Sequence, residues 1–147
     1  MAKKILFLCT GNYYRSRFAE EIFNLKASKL GLPYEADSSA LALASGKMNF
    51  GPISWHAIDG LHSRGIELGE AVRYPKALSL HDLETSFRVI AMNRGEHEPM
   101  VNDLYPEWSS KIVYWDVADI DVVEPTPALS KIERLVDALL KSLVNEC

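Results

Sequence analysis

The apolar positions fall into short blocks whose spacing changes repeatedly along the chain. Lys4 to Cys9 is a continuous apolar run of strand length, which predicts a strand buried on both faces. From Ser16 the period lengthens. Phe18, Ala19, Ile22, Phe23, Ala27 and Leu30 recur at three- and four-residue steps, and Gly31 is placed to end a helix. Tyr34 to Leu41 reads as a second strand, and Gly46 to Pro52 as a loop. Ser54 can cap a helix that carries Ile58 and Leu61 inward and stops near Gly65. Ser79 with Asp82 offers another capped helical turn. Phe87 to Met92 and Ile112 to Val117 read as two further strands. Thr126-Pro127 reads as a cap and first-turn proline, and behind it Ile132, Leu135, Val136, Leu139, Leu140 and Leu143 form one apolar stripe.

Strand and helix therefore alternate. That order predicts an α/β fold of three layers, a four-stranded parallel twisted sheet with helices on both faces. With 147 residues, no repeat and no linker, one domain over 1–147 is expected. Ligands of such sheets bind beyond the carboxyl ends of the strands, so the segment after the first strand is where chemistry is sought.

Charge narrows the partners. Lys and Arg number 16 against 20 Asp and Glu, a formal net charge of -4, which argues against nucleic acid. It leaves room for a local anion site. No stretch approaches the ~18 apolar residues of a membrane span, so no membrane partner is expected. The two cysteines, Cys9 and Cys147, make no disulfide framework, and a cytoplasmic location is expected. Two thiols are too few for a zinc site that needs three or four thiolates, and His56, His62, His81 and His97 show no paired spacing. Neither metal nor cofactor is expected.

The segment Cys9-Thr10-Gly11-Asn12-Tyr13-Tyr14-Arg15-Ser16 carries the chemistry. A loop wound between a strand end and a helix N-terminus points its N–H groups into one hollow and forms an anion site. Gly11 and Asn12 tolerate the left-handed backbone a tight cradle needs. Arg15 can close a two-pronged grip on phosphate oxygens. Such a field favours a thiolate over a thiol, and the Cys9 thiolate can attack phosphorus in line. Ser16 can donate a hydrogen bond to the sulfur.

The block CTGNYYRSRFAEEIFN resembles the signature of low-molecular-weight protein tyrosine phosphatases and the related arsenate reductases. Ala36 to Ala40, Ile90 to Arg94 and Val113 to Asp119 resemble the family's later strands. The resemblance implies a flavodoxin-like phosphatase fold and a metal-independent phosphomonoesterase that works through a cysteinyl-phosphate intermediate. Protein-tyrosine phosphatase activity is the default. Its partners would be a phosphorylated protein or small phosphomonoester, with inorganic phosphate as product, and the chain would act as a monomer or weak dimer. Thr10 to Ser16 would bind the phosphate, and Ser38 would orient Asn12. The family's general acid is an Asp after the fourth strand, which aligns with Asp119; Asp116 and Asp121 are the runners-up. Two alternatives remain at this point: a non-catalytic phosphate or phosphopeptide binder, and an arsenate reductase. The second is disfavoured because no cysteine stands between Cys9 and Cys147 to relay oxidation.

The chain departs from the family in several places. Tyr14 stands where relatives often carry a second cysteine, and is expected to pack inward. Tyr13 replaces a smaller wall residue. Arg17 replaces a proline and is expected to be solvated. Ala118 and Ile120 replace prolines around Asp119, and the family's aromatic pair after the acid is missing. Trp55 and Tyr74 are aromatic candidates elsewhere, whereas Trp115 is expected in the core.

Overall fold

A computed structural model describes residues 2–46, 48–120 and 122–146. Strand β1 runs Lys3–Cys9, β2 Tyr34–Ala40, β3 Arg88–Ala91 and β4 Val113–Tyr114. They form one parallel sheet in the order β2-β1-β3-β4. The helices are α1 Arg15–Lys29, α2 Trp55–His62, α3 Leu80–Thr85, α4 Arg94–Leu104 and α5 Pro125–Val144. The alternation expected from the apolar pattern is present.

The alternate residues of β1 explain the layers. Ile5, Phe7 and Cys9 face a core shared with α1, α2 and α5, in which Phe18, Ile22, Leu61, Ile132 and Val136 are buried. Leu6 and Leu8 face a second core with Leu83 of α3 and Val101 of α4. A central parallel strand is thus apolar throughout because both its faces are covered. The chain runs from β1 outward to β2 and then crosses to β3 on the other side. The crevice at that switch point lies beyond Cys9.

Local signals account for most helix ends. Gly31 adopts φ 66, and the amides of Gly31 and Leu32 return to the carbonyls of Ser28 and Ala27, closing α1 in a Schellman motif. Ser79 and Asp82 form a reciprocal capping box at α3.

Several expectations need correction. Ile58 points outward at 42% exposure, and Ala57, Gly60 and Leu61 form the buried face of α2. The reason is close packing: a Cβ on Gly60 would lie 2.5 Å from Leu129 Cδ1. Leu30 caps α1 and is 59% exposed. Helix α5 begins at Pro125 with Glu124 as its cap, so Thr126 lies inside the first turn. Strand β4 is only two residues long, although the amides of Trp115 and Val117 still donate to Ala91 and Met92. No helix among the described residues is long and apolar enough to cross a membrane.

Candidate active site

The loop after β1 is turned inside out by its neighbours. The carbonyls of Cys9, Thr10 and Tyr13 accept from the amides of Leu41, Ala42 and Ser54 at 2.9 Å each. Among the described residues, no backbone carbonyl accepts from the amides of Gly11, Asn12, Tyr13 or Tyr14, so they remain available to a ligand. Helix α1 starts directly behind, with no side-chain cap at Tyr14, so its positive end faces the same hollow.

Asn12 sits at φ 52, the one non-glycine residue with positive φ among those described, and its amide is fully engaged. Its Nδ2 donates to Ser16 Oγ and to Ser38 Oγ, both at 2.8 Å. Its Oδ1 accepts from Arg73 at 3.0 Å and from the Lys76 amide at 3.2 Å. Because Ser16 Oγ accepts from Asn12, its own proton is free for Cys9 Sγ, 3.0 Å away. Ser38 Oγ accepts from Asn12 and Arg73 and donates to Glu20 at 2.6 Å. Ser38 thus meets Asn12 as expected from sequence.

Arg15 is 1% exposed. Its NH1 and NH2 donate to the two oxygens of Glu96 at 3.0 and 2.7 Å, and NH1 also donates to the Val117 carbonyl at 2.9 Å. Asp119 Oδ2 lies 3.6 Å from NH2. Burial opposes the Arg15 charge, but the bond to Glu96 and the surrounding anions win and raise its pKa above the usual value. Burial alone would raise the Glu96 carboxyl. Hydrogen bonds from His97, Arg15 and Thr10 hold it well below the usual carboxylate range instead. Thr10 Oγ donates to Glu96 and lies 3.0 Å from His97 Nε2. His97 Nδ1 accepts from the Asn93 amide at 3.0 Å, which leaves Nε2 as the N–H that faces Thr10 and Glu96.

These parts open into a cleft of ≈ 300 Å³ lined by Cys9, Tyr13, Arg15, Trp55, His56 and Asp119. Asp119 lies within it. Asp116 is 92% exposed and faces Lys131 at 3.7 Å instead. Asp121 and Cys147 fall outside the described residues. Gly11 lines the cleft, and Tyr13 closes one side by donating its hydroxyl to the Phe50 carbonyl at 2.5 Å. Tyr14 packs inward at 6% exposure, as expected, and Trp115 packs on Phe7 with ring centroids 5.6 Å apart. Trp55 stands at the rim, 65% exposed, and Tyr74 is also exposed.

Arg17 overturns its expectation. It is 4% exposed and donates to the carbonyls of Asn12, Pro52 and Arg73 at 3.4, 2.9 and 2.7 Å. Three loop carbonyls that have no amide partners among the described residues give it a buried task that a proline cannot perform. Sequence reasoning also missed Glu96, His97 and Arg73. The first two ride on α4, whose Asn93-x-x-Glu96 spacing is a helix-start signal: the Asn93 side chain accepts from the Glu96 amide at 3.0 Å. Arg73 lies in an irregular segment and has no local signature.

A family model described as low molecular weight phosphotyrosine protein phosphatase matches residues 4–146. A protein-arginine-phosphatase of Geobacillus stearothermophilus is 29% identical over 159 aligned residues, covering 99% of each chain. The crystal structure of a low molecular weight protein tyrosine phosphatase from T. tengcongensis has a TM-score of 0.79 at 28% identity, covering 96% of this chain and 99% of that one. YfkJ from Bacillus subtilis has a TM-score of 0.84 at 25% identity, covering 99% and 97%. The cradle, the parallel sheet and a match over nearly the whole length agree, and the chain belongs to the low molecular weight phosphotyrosine protein phosphatase family of hydrolases.

Proposed function

We propose that the chain hydrolyses phosphorylated protein side chains or small phosphomonoesters through a cysteinyl-phosphate intermediate, without a metal. The carrying observation is the convergence of Cys9, Arg15 and Asp119 on one cleft, with Ser16 Oγ 3.0 Å from the Cys9 sulfur. In the first step the Cys9 thiolate attacks phosphorus. The S–P bond forms, the P–O bond breaks, and Asp119 gives its proton to the departing oxygen. In the second step water attacks phosphorus, Asp119 takes the water's proton, and the S–P bond breaks to release inorganic phosphate. Ser16 donates to the sulfur as it leaves. The loop amides of Thr10 to Ser16 and the Arg15 guanidinium stabilise the equatorial oxygens in both steps.

Phosphotyrosine is the default substrate, supported by the family description and by the aromatic rim of Tyr13 and Trp55. Phosphoarginine is the second reading, favoured by the name of the Geobacillus relative. There the bond that breaks is P–N, and Asp119 protonates nitrogen. A turnover panel of phosphotyrosine peptide, phosphoarginine, phosphoserine and sugar phosphates tests the proposal. Strong preference for one of the first two assigns the substrate. No turnover of any, nor of an activated aryl phosphate, leaves the chain a phosphate binder and rejects catalysis.

A further inference from the structure

Among the described residues, one buried side-chain polar atom has no hydrogen-bond partner, the phenolic oxygen of Tyr14. The residue is 6% exposed, its ring packs edge-on to His56 at 6.3 Å, and it lines the same cleft as Cys9, Arg15 and Asp119. A buried hydroxyl left unpaired is costly, and a phenylalanine would fill the same space without that cost. Such an oxygen points to a partner that arrives during the reaction.

Asp119 has the complementary shortage. Its Oδ1 accepts from the Ile120 amide at 2.8 Å. Among the described residues its Oδ2 only leans on Arg15 at 3.6 Å, beyond hydrogen-bond length. Arg15 is the group that a bound phosphoryl group claims. The loop around Asp119 also lacks the stiffening of proline, with Ala118 and Ile120 on either side. An acid that must hold still over the cleft therefore needs another anchor.

We propose that Tyr14 is a positioning residue for Asp119: once a phosphoryl group occupies the cradle and engages Arg15, the Asp119 carboxyl turns from Arg15 and accepts a hydrogen bond from the Tyr14 hydroxyl, which holds it facing the leaving atom. The hydroxyl suits the role because it stays protonated. Burial first, and the Asp119 carboxylate second, push its pKa up to about 12. One carboxyl oxygen then accepts from Tyr14 while the other delivers its proton. The inference rests on the reading of Asp119 as general acid.

The test compares wild type, Tyr14→Phe, Asp119→Asn and the double variant on p-nitrophenyl phosphate, whose leaving group needs little protonation, and on phenyl phosphate, whose leaving group needs it. Tyr14→Phe is expected to lower kcat/KM, which reports the leaving-group step and not the hydrolysis step common to both substrates, about tenfold on phenyl phosphate and to leave it within about twofold on p-nitrophenyl phosphate. It should add nothing in the Asp119→Asn background. Its thermal midpoint should equal or exceed that of wild type, since it deletes an unpaired group. Equal losses on both substrates, additive loss in the double variant, or a lowered midpoint overturns the inference while leaving Asp119 as the acid. If Asp119→Asn itself spares phenyl phosphate turnover, the acid assignment fails, and the inference fails with it.

Discussion

Glu96 grips the end of the Arg15 guanidinium through two bonds, 3.0 and 2.7 Å long. This end-on grip uses NH1 and NH2. In the proposed mechanism Glu96 thereby sets the angle at which Arg15 meets a phosphoryl group, and Thr10 and His97 hold Glu96 in turn. Removing the charge with Glu96→Gln should let Arg15 swing and lower kcat by about 10- to 100-fold on every substrate. The pH dependence has a definite sign. The folded pKa of Glu96 is depressed, so its contribution to stability is present above the usual carboxylate range and lost as pH falls below it. Acid unfolding of wild type should show that loss, and unfolding of Glu96→Gln should show less of it.

Asn12 joins a left-handed backbone to a four-bond amide network. Asn12→Ala should lose both advantages, at a stability cost of about 1–3 kcal/mol measured by chemical denaturation. Asn12→Gly relieves the backbone but not the network. It should be the more stable of the two yet still turn over more slowly than wild type. Arg73→Ala removes donors from Asn12, Glu20 and Ser38 at once and should slow turnover while leaving the sheet folded.

Gly60 permits the close approach of α2 to α1 and α5. A Cβ there would meet Leu129 Cδ1 at 2.5 Å and Phe18 Cε1 at 3.3 Å. Gly60→Ala should therefore destabilise the fold despite alanine's better helix propensity, by about 1–3 kcal/mol in denaturant titration. Equal or higher stability would show that Leu129 moves aside freely.

Tyr14 gives the fold an alkaline weakness. Its phenol titrates near 10.0 when exposed and is pushed up to about 12 in the folded chain. Between those values the unfolded state gives up a proton that the folded state keeps, so stability falls as pH rises. Tyr14→Phe should lose less stability than wild type across that window, read from denaturation midpoints at a series of pH values.

Strands β1 and β3 were legible in the sequence because they are apolar runs that need no partner to be recognised: Lys4 to Cys9 and Phe87 to Met92 each match an observed strand to within a residue or so at either end. The cradle was legible for a different reason, since residue types and order alone define it. What escaped is what depends on distance along the chain. Helix α4 buries little beyond His97 and Val101 and contains Gly95 and Pro99, so its apolar face is too thin to read. Ile58 reads as inward beside Leu61 in the sequence, but Gly60 decides which face of α2 fits against α5. Arg17 looks solvated in sequence and Arg73 carries no local signal; only the folded loops supply the carbonyls that bury Arg17 and the carboxylate that Arg73 meets.

The central claim is that Cys9 carries the phosphoryl group between the two steps. Rapid acid quenching of wild type during turnover of a radiolabelled aryl phosphate tests it directly. The account predicts a trapped phosphoryl group on Cys9, at up to about one per chain, with both the label and turnover lost in Cys9→Ala. Turnover that persists in Cys9→Ala, or label trapped on another residue, would contradict it.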